Sequence, residues 1–308
     1  MMNNHHTPVL LKESLEFLIT TNDGVYFDAT LGFGGHSEAI LDLLSSTGKL
    51  ISTDVDIDAF KFSKEKFATD QRIKIFNTNF SQIDIIAKIE SIKNFNGIIG
   101  DLGVSSFQLD NTLSGFTYRN EAKLDLRMDK TKAINAADIV NSYSEDELAG
   151  IIYHFGEERN SRQIAKKIVE KRKIKKIETT FNLANIIEEM TPFNYRIKTL
   201  SRVFQALRIY VNDELEILRS FLTKSIELLA DRGRIVILSY HSLEDRIVKE
   251  IFKYETLDCI CPKEYPVCKC NKQPRLKILT KKPVIPSLFE IENNIRSRSA
   301  KLRAAERI

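Results

Sequence analysis

No stretch of this 308-residue chain approaches the roughly 18 consecutive apolar residues that a membrane-spanning helix needs. No membrane partner is expected. The N-terminus, MMNNHHTPVLL, lacks the basic segment, long apolar stretch and small-residue cleavage site of a secretory signal, so the expected location is cytoplasmic. Internal repeats and low-complexity segments are absent as well. Excess charge is scarce: the net value of +4 is too small to demand a polyanionic partner, and local clustering has to decide that question. What is present is a globular composition, 43% apolar and 29% charged, with length enough for one large domain or a domain carrying an insertion.

Residues 25 to 101 alternate short β-rich runs with helical patterns. The runs are VYFDA (25 to 29), KLISTD (49 to 54), IKIFN (73 to 77) and GIIGDL (97 to 102). Between them lie HSEAILDLL, DAFKFSKEKFA and SQIDIIAKIESI, with Ser81 and Asp84 spaced as a capping box in the last. Strand, helix, strand with connections this short implies parallel strands and right-handed crossovers. From about Asn111 to Asn212 no strand pattern appears. The helical segments there include SEDELAGIIYHFG, with Ser144 and Glu147 as a capping box and Gly156 as a stop, then SRQIAKKIVEKRK and TFNLANIIEEM. The α/β pattern returns with NDELEILRSFLTKSIELLADRG, predicted to end at Gly233, then the strand RIVILSY and the helix SLEDRIVKEIF, capped by Ser242 and Asp245. The expected fold class is α/β, a doubly wound Rossmann-like sheet with an inserted all-helical domain: 1–110 and 213–308 form the sheet domain, 111–212 the insertion.

In such sheets a ligand lies beyond the carboxyl ends of the strands, and the loop after the first strand is the usual contact. Here it reads Gly32-Phe33-Gly34-Gly35-His36-Ser37, which meets the dinucleotide pattern G-x-G-x-x-G at two glycines and fails at the third. Asp28, four residues before Gly32, would repel a pyrophosphate and suit a cationic ligand; its alternative role is to brace the loop. S-adenosylmethionine carries a sulfonium, an ammonium and no phosphate. Asp54, at the end of KLISTD, is placed to accept hydrogen bonds from ribose hydroxyls, with capping of the next helix as the alternative. The set fits S-adenosylmethionine better than NAD.

Asp101 ends the fourth run, beside the first strand in a doubly wound sheet. Methyl transfer needs the nucleophile in line with the methyl group, so alignment is the protein's main task. An aromatic amine needs more, because its lone pair is delocalised into the ring; acceptors at its hydrogens favour the pyramidal geometry required for attack. Asp101 is the candidate catalytic acceptor, the alternatives being a turn cap or a contact to the cofactor's amino groups. Neither a Pro-Cys dipeptide, common in covalent methylation of cytosine carbon, nor an Asn-Pro-Pro-Tyr tetrapeptide occurs.

The blocks HTPVLLKESLEFL, DATLGFGGHS, GDLGVSSFQLD, GFTYRNEAKLDLRMD, HFGEERNSRQIAKKIV, RVFQALRIYVNDEL, GRIVILSYHSLEDRIVK and RSRSAKLRAAER, taken in order, resemble the bacterial 16S ribosomal RNA cytosine-N4 methyltransferases, the MraW or RsmH family. The resemblance spans nearly the whole chain. It implies a class I methyltransferase fold, S-adenosyl-L-methionine as cofactor, and the N4 amine of a cytidine in 16S rRNA of the small ribosomal subunit as substrate. It assigns cofactor binding to Gly34, Gly35, His36, Asp54, Phe80, Asp101 and Gln108. Phe107 stands where the family usually has proline and Ile295 where it has proline after Asn294, and the first of these bears on the loop carrying Gln108. The competing readings are an NAD-dependent oxidoreductase of similar fold and a non-catalytic RNA-binding module. Whether the protein forms a homodimer stays open.

An RNA substrate calls for cationic surface. Arg162, Lys166, Lys167, Lys171, Arg172, Lys173, Lys175 and Lys176 crowd one segment of the insertion, and Arg296, Arg298, Lys301, Arg303 and Arg307 follow near the C-terminus. A charge run is otherwise a solvated face. Tyr118, Arg119 and His241 are candidates for contacting the base, with core or capping roles as the alternative. Cys259, Cys261, Cys268 and Cys270 fall together. In a cytoplasmic chain a persistent disulfide is not expected, and C-x-C is tighter than the usual zinc spacing, so a hairpin with buried free thiols is favoured and no metal ligand is assigned.

Overall fold

The computed structural model describes residues 8–103, 116–117, 120–262 and 268–308. The chain divides into two compact units, Met1–Gly103 with Leu215–Ile308, and Val104–Glu214. No helix among the described residues is long and apolar enough to cross a membrane.

The first unit is built on a seven-stranded sheet in the order β3-β2-β1-β4-β5-β7-β6. Its strands are β1 (Val25–Asp28), β2 (Lys49–Asp54), β3 (Ile73–Asn77), β4 (Phe95–Asp101), β5 (Leu229–Ser239), β6 (Leu276–Ile278) and β7 (Lys301–Arg307). The first five run parallel, and β7 runs antiparallel to both β5 and β6. Successive residues of a strand point to opposite faces, and here both faces are covered. Tyr26, Ile99, Val236 and Leu238 enter one apolar core, with residues of α1 (Leu11–Leu18) and α2 (Gly35–Leu43). Their neighbours Phe27, Ile98, Ile235 and Ile237 enter the other, with α4 (Ile83–Ile89), α10 (Glu214–Leu228) and α11 (Ser242–Glu255). Helix α3 (Ile57–Lys66) follows β2 and is capped by Asp56. Burial on both sides explains why the strands read as continuous apolar runs.

Strand β7 was not expected. KLRAAER consists largely of strong helix formers, yet Leu302, Ala304 and Ala305 are buried against β5. Packing overrides propensity, and the small alanines admit the helices above and below. The C-terminal charges are correspondingly committed. Arg303 Nε donates to Asp245 at 2.6 Å, Lys301 Nζ lies 3.3 Å from the same carboxylate, and Arg307 Nη1 donates to the Ile226 carbonyl at 2.9 Å. Only Arg296 and Arg298 of that group are exposed, so this segment is mostly a sheet strand and not a cationic face.

Three helix ends differ from expectation. Before α4, Asn79 accepts from the Ser81 N–H and a 3₁₀ turn fills Phe80–Gln82, so Ser81 and Asp84 form no capping box. The N-cap of α11 is His241, whose extended backbone (φ −138°, ψ 164°) makes it the last non-helical residue; it forms a capping box with Glu244, while Asp245 is drawn to Arg303. Helix α10 stops at Leu228, because Leu229 already pairs with Phe95; Gly233 lies inside β5, in the irregular stretch between the pairs Phe95–Leu229 and Gly97–Arg234.

The second unit is helical: α5 (Ala136–Ser142), α6 (Glu145–Gly156), α7 (Ser161–Arg172), α8 (Thr180–Met190) and α9 (Arg196–Asn212) surround a core that includes Ile152, Ile164, Leu183 and Val203. Ser144 and Glu147 form the capping box of α6. At its other end the left-handed residue is Glu157 (φ 51°), not Gly156. The glycine serves packing: a Cβ there would lie 2.6 Å from the Arg202 carbonyl oxygen on α9.

Candidate active site

The carboxyl ends of β1, β2 and β4 carry Asp28, Asp54 and Asp101. Asp28 is fully enclosed, with Oδ1 accepting from the Thr30 N–H at 3.0 Å and Oδ2 from the Ser37 hydroxyl at 2.7 Å. Ser37 is in turn 2.9 Å from Ser52 Oγ. Burial pushes the Asp28 carboxyl above its ordinary range, against the pull of His36 and of its hydrogen-bond donors. Asp28 therefore braces the loop from beneath; the reading in which it faces a cationic ligand gives way to its alternative.

Asp54 is half-buried and does two things locally. Oδ2 accepts from the Gly32 N–H and Oδ1 from the Asp56 N–H, each at 2.8 Å. Burial pushes its carboxyl up to about 6, with the two N–H donors opposing. The loop between these carboxylates needs its glycines for different reasons. Gly32 (φ +51°) has nothing within 4 Å of where a Cβ would stand, so a ligand can approach its backbone. Gly34 is the left-handed N-cap of α2 (φ 79°), and a Cβ on it would strike the Phe67 ring at 2.5 Å. At Gly35 the obstacle is Pro8 Cγ, also at 2.5 Å.

Asp101 is held by a neighbouring strand. Its N–H donates to Thr30 Oγ1 at 2.6 Å, and Oδ1 accepts from the Tyr240 hydroxyl at 2.7 Å. His36, buried in the first turn of α2, places Nδ1 3.8 Å from Oδ2. Burial, and then the adjacent Asp101 carboxylate, hold the Tyr240 hydroxyl well above its ordinary range, so it remains a proton donor in this pair. The structure thus brings Asp28, His36 and Asp101 together on one side of the glycine loop, with Asp54 tied to the other. Phe80 stands after β3, half-buried, its ring 4.9 Å from that of Phe221 on α10 in an edge contact. Gln108, Tyr118 and Arg119 lie outside the described residues. His241 is a cap: its Nδ1 accepts the Glu244 N–H at 3.4 Å and its Nε2 lies 3.2 Å from Glu244 Oε1.

Sequence reasoning missed Thr30, Ser37 and Tyr240. The signal for Tyr240 was topological: Asp101 pairs with Leu238 across the β4–β5 ladder, so the residue two beyond Leu238 falls beside Asp101 once the strand order is known.

The donor set fits S-adenosylmethionine on its own chemistry. Two half-buried carboxylates flank the glycine turn, and the Gly32 backbone is open to approach. This is a place for hydroxyls and positive charge and a poor one for phosphate. With the parallel sheet in this strand order and a single antiparallel strand within it, fold and site define a class I S-adenosylmethionine-dependent methyltransferase.

The chain belongs to the MraW methylase family, whose family model matches residues 3–308. It is 52% identical to ribosomal RNA small subunit methyltransferase H of Caldicellulosiruptor saccharolyticus, over 98% of this chain and 99% of that one. Against the protein of the same name from Fusobacterium nucleatum the identity is 47%, covering 99% of this chain and 98% of the relative.

Proposed function

We propose that this methyltransferase modifies the exocyclic N4 amine of a cytidine in the 16S rRNA of the small ribosomal subunit. The relatives' names point to ribosomal RNA; the observation that supports an amine acceptor is Asp101, a carboxylate fixed at the end of β4 by Tyr240. When bound, the cofactor supplies an electrophilic methyl group on a positively charged sulfur. The chain does the rest. Each carboxylate oxygen has more than one acceptor position, so the Tyr240 hydroxyl fixes the plane of Asp101 without exhausting it. Asp101 can then accept an amine hydrogen, concentrate the nitrogen lone pair and take the proton that the nitrogen loses on alkylation. Asp54 would hold the ribose hydroxyls, the Gly34–His36 turn the methionine end, and Phe80 the adenine.

Transfer of labelled methyl groups into small subunits, followed by nucleoside analysis, tests this reading. N4-methylcytidine is expected. Label at cytosine carbon 5 or on a ribose would overturn the amine assignment, and no label at all would favour an RNA-binding module.

The insertion is proposed as the RNA contact. Lys167 and Lys171 pair with Glu189, and Arg172 donates to the Val140 carbonyl, but Arg162, Lys166, Lys173, Lys175 and Lys176 are exposed and form no ion pair among the described residues. If Lys173, Lys175 and Lys176 each neutralise a phosphate, changing all three to glutamate lowers the slope of log affinity against log salt by about 2 to 3. An unchanged slope in a filter-binding titration would assign that face to solvent.

A further inference from the structure

The methyl-transfer chemistry leaves four cysteines unused, and the structure gathers them at one point. Between α11 and β6, the Sγ atoms of Cys259, Cys261, Cys268 and Cys270 all lie within 4.8 Å of one another. Cys268 and Cys270 are 3.5 Å apart and Cys259 and Cys270 are 3.9 Å apart. A disulfide requires about 2.05 Å, so these are not bonded pairs. Four sulfurs placed tetrahedrally at about 2.3 Å from a zinc ion stand about 3.8 Å from each other; the separations of 3.5 and 3.9 Å bracket that value, and no pair exceeds 4.8 Å. Nor is this a buried hairpin of inert thiols: Cys259 and Cys268 are exposed and the other two only half-buried. Burial alone does not account for the convergence.

The surrounding backbone favours thiolates. Ile260 N–H donates to Cys270 Sγ at 3.3 Å, Cys261 N–H to Cys259 Sγ at 3.4 Å, and Lys269 N–H to Cys261 Sγ at 3.3 Å. Donors of this kind orient metal ligands and offset their charge. The chain on either side is also fixed. Glu255, the last residue of α11, accepts from Arg275 Nε at 2.6 Å and Nη2 at 2.7 Å, and its carbonyl accepts the Arg275 N–H at 2.8 Å. The two segments that carry the cysteines therefore leave the sheet domain from a clamped base.

We propose that Cys259, Cys261, Cys268 and Cys270 form a closed tetrathiolate site for zinc. With all four positions filled by protein, the ion has no open coordination position and is structural. Binding replaces four S–H protons by four S–Zn bonds, releases those protons to solvent and leaves the site with a net charge of −2. No electron is transferred.

The test uses the full-length protein, purified reduced and without chelator. Elemental analysis is expected to find about one zinc per chain. Protein stripped of metal and shown by thiol titration to have its four cysteines reduced should take up Zn²⁺ or Co²⁺ alone with proton release. The cobalt form should show the visible bands of a tetrahedral tetrathiolate. In the double variant Cys261→Ser/Cys270→Ser, bound metal should fall below about a tenth of an equivalent. The proposal fails if reduced wild-type protein takes up no metal, or if the double variant retains metal at the wild-type level. Should that variant not fold, the cobalt spectrum of wild-type protein decides alone: bands of nitrogen- or oxygen-ligated cobalt would overturn the site.

Discussion

Replacing Asp101 with alanine is expected to slow methyl transfer by about 10² to 10⁴, the range for removing a positioned acid–base group, while the cofactor dissociation constant changes only a few-fold. The asymmetry follows from placement. Asp101 is fixed by Thr30 from β1's loop and by Tyr240 beyond β5, and the demand on it arises when the amine nitrogen must release its lone pair from the ring. Asp101→Asn keeps an acceptor but cannot take a proton, so it should recover little of the rate. Single-turnover rates and calorimetric binding separate the two possibilities. If cofactor affinity falls by the same factor as the rate, Asp101 belongs to binding and not to chemistry.

For Asp54→Ala the expected loss is in binding. Hydrogen bonds to a charged group contribute about 1.5–3 kcal/mol, so cofactor affinity should drop by roughly 10- to 150-fold. Part of that loss comes through the loop, since the Gly32 N–H loses its acceptor as well. The pH dependence has a definite sign. Burial raises this carboxyl to about 6, so its ionisation opposes folding: the stability linked to its neutral form is complete below the ordinary aspartate range and is lost as pH rises through about 6. Cofactor affinity runs the other way, full above that value and weakening as pH falls through it, because the ionised form accepts from the ribose hydroxyls. Titration calorimetry across that interval should show the inflection in the wild type and not in Asp54→Asn. A dissociation constant that ignores both the substitution and the pH would put the ribose elsewhere.

The five parallel strands are legible in the sequence because burial on both faces leaves apolar runs between glycine and polar punctuation, and Asp28, Asp54 and Asp101 stand out as acids at their ends. What the pattern could not show was direction of address. Asp28 reads equally well as facing a ligand or the loop, and only the contacts with Thr30 and Ser37 choose between them. Strand β7 is hidden because alanine, lysine, arginine and glutamate favour a helix until a neighbouring strand supplies better packing. The caps at Asn79 and His241 shift by one or two residues because a cap is defined by where the backbone turns helical, and several adjacent polar residues could serve. The cysteine cluster is obscured by its spacing: C-x-C departs from the common zinc pattern, and the meeting of the two pairs is a property of the folded chain.

Between β4, which ends at Asp101, and β5, which starts at Leu229, lie the whole helical unit and then α10. A crossover between parallel strands needs only about a dozen residues, so this one is roughly ten times longer. Because closure entropy grows with the logarithm of span, about 0.6 kcal/mol per doubling, the detour costs the native state about 2 kcal/mol at most. A nucleotide-fold scaffold can therefore accept a hundred-residue graft at this junction and still close its ladder, which makes the position permissive for acquiring substrate-recognition modules.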